Sequence, residues 1–160
     1  MSRVALVLSQ IVRAGMTAVI QALIILVVSL GLGVRVSAGV AGWVGVLAAS
    51  ALVATAFAGI SHGIALIVRQ EASMIGVANF VGLPLLFLSS TLLASGLIPA
   101  WMQWAARFNP VNWGVVAARE AVLPGTDWAR IGVYLLLLGG LSAATAAFAT
   151  RSFRAYQRTL

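Results

Sequence analysis

Residues 14–34 read AGMTAVIQALIILVVSLGLGV, a stretch of 21 residues without a charged side chain. Arg13 precedes this stretch and Arg35 follows it. An α-helix rises 1.5 Å per residue, so a helix of this length matches a hydrocarbon core of about 30 Å. The stretch therefore predicts a membrane-spanning helix, and charged residues farther along the chain bound three more stretches of the same kind.

The predicted spans lie at about 14–34, 43–68, 72–93 and 131–150. The glycines Gly39, Gly42 and Gly45 before the second span predict a turn. Pro84 lies inside the third span, where a proline bends the helix and leaves a backbone carbonyl without its usual partner. We expect an all-α integral membrane protein with four transmembrane helices, folded as a single transmembrane domain over residues 1–160.

Composition indicates that the chain is embedded in a lipid bilayer, and it excludes several functions. Apolar residues make up 62% of the sequence and charged residues 8%, against about 25% charged in soluble domains. The net charge of +7 comes from arginines that lie mostly at the edges of apolar runs, so it predicts membrane orientation and no nucleic-acid partner. Cysteine is absent and there is one histidine. We therefore expect no catalytic centre and no metal site.

Orientation follows from the arginines, since cytoplasmic segments carry an excess of them. Arg151, Arg154 and Arg158 form a basic tail, which predicts a cytoplasmic C-terminus. Counting back four spans puts the N-terminus on the same side, in a multi-pass protein of a bacterial-type cytoplasmic (inner) membrane. A cleaved signal peptide ending at residues 36–38 is the competing interpretation, but the apolar stretch before it is longer than the usual signal core.

Between the third and fourth spans the chain is too apolar for a solvated loop. Pro99 is suited to start a helix, and Trp101, Trp104 and Phe108 then share one helical face, as in a helix at the membrane interface. Residues 109 and 110 are Asn and Pro, which predict a cap and a second helix start, and Pro124-Gly125 ends that helix. We expect an extracytoplasmic re-entrant helical hairpin over about residues 99–123.

Small and polar residues mark further candidate positions. Thr55, Gly59 and Gly63 continue a four-residue spacing that begins at Ala51, and such a stripe lets helices pack closely in lipid. A second stripe, on the fourth span, consists of Gly139, Ala143 and Ala147. Either stripe would pack within the bundle or between protomers.

Several polar residues leave two interpretations open. His62 lies within the second span, where an ionisable side chain is either a functional contact or a group hydrogen-bonded to a neighbouring helix. Ser89 and Ser90 follow Pro84 and either line a polar path or satisfy the bent backbone. Arg119 and Glu120 either pair with each other at the surface or hold the hairpin against the spans. Asp127 is either a solvated loop residue or a helix cap.

The run PLLFLSSTLLASGLIPAWMQWAARFNPVNWGVVAAR, residues 84–119, resembles the C-terminal region of type-2 ATP-binding-cassette (ABC) exporter permeases. The matching positions are Pro84, Phe87, Ser89, Ser90, Pro99, Trp101, Asn109, Pro110 and Arg119. The two adjacent serines are most similar to the daunorubicin/doxorubicin-resistance branch, which is associated with multidrug resistance. Gln21, in an apolar span that ends in Gly-Leu-Gly-Val-Arg, is also similar to that branch.

The resemblance implies a permease that binds no cofactor itself and uses ATP through a separate ABC ATPase subunit. It also implies a homodimer, or association with another permease half, with the outer hairpin at the exit gate. Family members usually have six spans, and this chain matches the last four. The sequence therefore predicts either a C-terminal piece of a permease or a chain that needs a partner half.

The predicted function is outward transport of an amphipathic drug-like, lipid or glycan substrate. The alternative is a small membrane scaffold or regulatory protein that packs through its Gly/Ala stripes. Replacement of Pro99, Trp101 and Asn109 would discriminate between them, because a scaffold tolerates these changes and a gate does not.

Overall fold

The computed structural model describes residues 3–34, 36–68, 82–89 and 99–156. It contains three long helices, α1 (Arg3–Gly31), α2 (Gly39–Val68) and α5 (Trp128–Tyr156), and two short ones, α3 (Ala100–Ala106) and α4 (Pro110–Val122). Residues 82–87 are also helical. Among the described residues, three segments are long and apolar enough to cross a membrane: Leu8–Gly31, Gly39–Ala65 and Trp128–Arg151.

These helices differ from the predicted spans at their ends. α1 begins at Arg3 and continues through Arg13, which therefore lies inside a helix and not before it. The turn predicted at Gly42 and Gly45 is wrong, because α2 already begins at Gly39. Of the three glycines in the predicted turn, only Gly39 has a positive φ, +59°, which a turn glycine adopts readily. The predicted third span, 72–93, lies largely outside the described residues.

α1 and α2 are antiparallel, while α2 and α5 are parallel. Ile11 near the start of α1 belongs to an apolar cluster against which Ala58 of α2 packs, and Leu26 near the end of α1 belongs to a cluster with Val46. Along α2 and α5 the contacts advance in the same direction: Thr55 meets Ser142, and Gly63 meets Phe148. Since α2 and α5 are parallel, the intervening chain must return from one end of the bundle to the other.

The stripe Thr55, Gly59 and Gly63 packs within the bundle, on α5. A Cβ added to Gly59 would lie 2.6 Å from Thr145 Oγ1 and 2.9 Å from the Thr145 carbonyl carbon. Thr55 Oγ1 lies 3.1 Å from Ser142 Oγ, and the Ser142 hydroxyl donates to the Leu52 carbonyl over 2.8 Å. Close backbone approach and interhelical hydrogen bonds are the usual means of helix association in lipid.

The second stripe does not make this contact. A Cβ added to Gly139 would meet no atom of the described residues within 4 Å, and Ala143 and Ala147 are exposed. The face of α5 that packs instead carries Leu138, Ser142, Thr145 and Ala149. Packing of the Gly139 stripe between protomers remains a prediction.

α4 lies against the first half of α2, antiparallel to it. A Cβ added to Gly114, in the first part of α4, would lie 2.5 Å from Val53 Cγ2, and one added to Gly42 would lie 2.5 Å from the carbonyl oxygen of Ala121. The Ser37 N–H also donates to the Val122 carbonyl over 3.0 Å. α4 therefore runs from the middle of α2 to its first turn.

Candidate functional site

Several polar side chains form hydrogen bonds at the corner between α3 and α4, which consists of residues 107–110. Asn109 is the N-cap of α4: its Oδ1 accepts a hydrogen bond from the Val111 N–H over 2.9 Å, and Pro110 occupies the first helical turn. A proline is suited to this position because its missing N–H would have no helical partner there. The predicted helix start at Asn109-Pro110 is confirmed.

Asn109 also joins the corner to the helical residues 82–87. Its Nδ2 donates to the Leu85 carbonyl over 2.6 Å. The Ser89 N–H, which would bond to Leu85 in a continuing helix, donates to the Leu86 carbonyl instead. The Leu85 carbonyl is therefore a helix-end acceptor that the amide of Asn109 satisfies, and Asn109 is only 2% exposed.

Two more side chains of α4 satisfy the end of α3. Asn112 Nδ2 donates to the Ala106 carbonyl over 3.1 Å, and Trp113 Nε1 donates to the Arg107 carbonyl over 2.6 Å. The corner thus satisfies its own backbone acceptors from within the chain. This property allows non-helical backbone to exist where water is excluded.

The aromatic residues predicted to share one helical face are all exposed, although Phe108 lies beyond the end of α3 at Ala106. α3 begins after its N-cap residue, Pro99. Trp101, Trp104 and Phe108 are 67%, 64% and 65% exposed, and the rings of Trp104 and Phe108 lie 5.1 Å apart. A large apolar surface at a buried polar corner is suited to contact with lipid or protein.

The other predicted positions near the corner have different surroundings. Pro84 is exposed, Ser89 is 2% exposed, and Ser90 lies outside the described residues. Arg119 is exposed on α4. Glu120 forms an ion pair with Arg130: Glu120 Oε1 lies 3.1 Å from Nη1 of Arg130.

Asp127 is a helix cap, one of the two roles predicted for it. Its Oδ1 accepts from the Arg130 N–H over 3.1 Å. The sequence did not predict the role of Leu85. Leu85 contributes its backbone carbonyl to the hydrogen bond with Asn109, and a backbone group does not depend on the residue type.

His62 is half-buried and lines a groove of about 390 Å³ between α1 and α2. The polar residues that share this groove are Gln10, Arg13, Thr17 and Gln21 of α1. This arrangement favours neither of the two predicted roles of His62 by itself.

The three long apolar helices define a multi-pass membrane protein. Residues 1–123 match the family model described as ABC-2 type transporter, and the chain belongs to that family. It is therefore a membrane permease component of an ABC transporter, a transport component and not a catalytic one. Members of this family normally pair with an ABC ATPase. No curated protein and no solved structure matches the chain significantly.

Proposed function

We propose that the chain is the permease subunit of an ATP-driven exporter, with four membrane spans, cytoplasmic termini and the α3–α4 corner as part of its outer gate. A separate ABC ATPase supplies the energy, and a second permease, either another copy or another half, completes the pathway. The substrate is amphipathic: a drug-like molecule, a lipid or a glycan. The membrane is the bacterial-type cytoplasmic membrane.

The parallel arrangement of α2 and α5 supports four spans. α2 ends at Val68, at the opposite end of the bundle from Trp128, where α5 begins. The chain between them must therefore join opposite ends of the bundle, and the predicted third span at 72–93 is the apolar segment available for that crossing. The antiparallel helices α1 and α2, the predicted third span and α5 together give four membrane spans.

The depth of the corner supports a re-entrant hairpin. Val53, which meets Gly114 in the first part of α4, lies 14 residues along α2 from Gly39, or about 20 Å at 1.5 Å per residue. From that depth α4 returns to the first turn of α2. The corner before α4 is therefore far below the end of the bundle. Its backbone carbonyls accept hydrogen bonds from side chains of the protein, which the bilayer core cannot provide.

The buried Asn109 is the single observation that carries the gate assignment. It ties the start of the returning helix to the end of residues 82–87, in the predicted third span, through one hydrogen bond. Displacement of that span would be transmitted directly to the corner. A gate needs such a coupling between a span and the outer segment, whereas a scaffold that packs through Gly/Ala stripes does not.

Transport by membrane vesicles tests this proposal. The chain is co-expressed with candidate ABC ATPases, the one that co-purifies with it is retained, and ATP-dependent uptake of daunorubicin into inverted vesicles is measured. ATPase stimulation is recorded in parallel, since it responds to permease coupling even if daunorubicin is not the preferred substrate. We expect replacement of Asn109-Pro110 by Ala-Ala to abolish uptake, and coupled stimulation, while the protein still inserts.

The matched control is Glu120→Gln, a change in the same outer segment at an exposed ion pair. We expect it to transport at nearly the level of the unmodified chain. Full transport by the Ala-Ala variant would remove the gate assignment. Failure of the unmodified chain to form a complex with any ABC ATPase would remove the exporter assignment.

A further inference from the structure

The groove between α1 and α2 has a polar lining that the gate assignment does not use. Gln10, Arg13, Thr17 and Gln21 follow one another at spacings of three or four residues on α1, so they share one helical face. His62 of α2 closes the groove, and the rest of its lining consists of three alanines, Ala14, Ala18 and Ala54. A row of polar side chains thus opens on the surface of apolar helices.

The groove carries positive charge without a matching carboxylate in its lining. Of the three acidic residues of the chain, Glu120 and Asp127 lie at the other end of the bundle and Glu71 lies outside the described residues. Ionisable groups within a span are costly, and they normally face a partner of opposite charge or a functional ligand. Arg13 offers five N–H donors in a planar fork that fits a phosphate oxygen pair.

Position along the helices favours a ligand at the membrane interface. Arg13 lies ten residues after Arg3, or about 15 Å along α1, and His62 lies six residues before Val68, or about 9 Å from the end of α2. Both are therefore near the same end of the bundle. That end is the opposite one from α4 and the ion pair of Glu120.

The surroundings favour a lipid over a free ion. Val12, Met16 and Ile20, which alternate with the polar residues along α1, are 56%, 63% and 60% exposed. Acyl chains would cover these side chains while the headgroup enters the groove. Basic pockets between membrane helices are known to hold anionic lipid headgroups in this way.

We propose that the groove is a binding site for the phosphate of an anionic phospholipid, with Arg13 as its main ligand and Gln10 and His62 as further hydrogen-bonding groups. The bound lipid would hold α1 against α2 at this end of the bundle. This proposal requires a membrane-embedded bundle but does not depend on transport or on an ATPase.

Native mass spectrometry of the full chain, released from detergent, tests the site. The probes are phosphatidylglycerol, phosphatidylcholine and inorganic phosphate, each titrated separately. We expect a saturable phosphatidylglycerol adduct that phosphatidylcholine does not reproduce. Arg13→Gln should weaken it about fivefold, as expected for one arginine near an anionic lipid, and Arg13→Lys should retain most of the binding.

Arg151→Gln is the matched control, because Arg151 is an exposed arginine on α5 that does not line the groove. The affinity of Arg151→Gln for phosphatidylglycerol should equal that of the unmodified chain. Equal binding by Arg13→Gln and the unmodified chain, or equal loss in Arg151→Gln, would overturn the site. Binding of inorganic phosphate as tightly as phosphatidylglycerol would overturn the lipid as its ligand. Circular dichroism verifies that each variant is folded, and if Arg13→Gln is not, His62→Gln, for which we expect weakened binding, replaces it in the comparison.

Discussion

The side-chain amide of Asn109 donates a hydrogen bond to the main-chain carbonyl of Leu85 over 2.6 Å, while its oxygen accepts from the N–H of Val111. One buried side chain thus completes the end of one helical segment and the start of another that is 24 residues away in sequence. The corner between α3 and α4 is therefore fixed to residues 82–87 by Asn109.

The two halves of this role can be separated by mutation. Asn109→Asp keeps the oxygen that caps α4 but removes the donor to Leu85, and it should lower the free energy of unfolding by about 1–3 kcal/mol, the usual cost of an unsatisfied buried acceptor. Asn109→Ala also removes the cap, which costs about 1 kcal/mol more. Unfolding in detergent, followed by circular dichroism, measures both. Equal stability of Asn109→Asp and the unmodified chain would show that the bond to Leu85 is unimportant.

The packing of α2 on α5 depends on the absence of a side chain at Gly59. Gly59→Ala places a methyl group 2.6 Å from Thr145 Oγ1, so the helices must separate, and we expect a loss of about 1–3 kcal/mol in the free energy of unfolding. Gly139→Ala is the control, because its methyl group would meet none of the described residues within 4 Å. It should leave stability unchanged or raise it slightly, since alanine is the better helix former. The thermal midpoint of each variant in detergent measures the difference, and equal destabilisation by the two changes would refute this account of the interface.

The attachment of α4 rests on close packing more than on its ion pair. Glu120 and Arg130 are 26% and 55% exposed, and an exposed pair contributes about 0–1 kcal/mol. Ala121 is fully buried, next to Gly45 of α2. We expect Ala121→Leu to cost about 1–3 kcal/mol through overpacking, and Glu120→Gln to cost less than about 1 kcal/mol. Protease resistance of the segment around residue 124 reports the loss of docking, and the reverse order of sensitivity would contradict the packing argument.

Local sequence signals predicted much of this structure. Arginine-bounded apolar stretches located the long helices, and Asn109-Pro110 located the start of α4, because capping depends on neighbouring residues alone. Contacts between helices were harder to predict. Small residues occur on two faces of α5, and the sequence does not reveal that Ser142 and Thr145, and not the face of Gly139 and Ala143, meet α2.

The glycines before the second span illustrate the same difficulty. Gly42 and Gly45 were predicted to form a turn, since glycine usually punctuates a helix. They lie within α2, and α4 approaches this part of α2 so closely that a Cβ at Gly42 would lie 2.5 Å from the carbonyl oxygen of Ala121. A distant segment of the chain thus requires these glycines, and a local pattern could not indicate that segment.

The number and direction of the membrane crossings are the central claim, and single-cysteine labelling in intact cells tests it most directly. The chain has no native cysteine, so Ser37→Cys, Thr126→Cys and Arg151→Cys can each be probed alone with a membrane-impermeant maleimide. We predict that Ser37→Cys and Thr126→Cys are labelled from outside and that Arg151→Cys is labelled only after permeabilisation. Labelling of Thr126→Cys only from the cytoplasmic side, or of Ser37→Cys and Thr126→Cys from opposite sides, would contradict the four-span arrangement and the outer position of the corner.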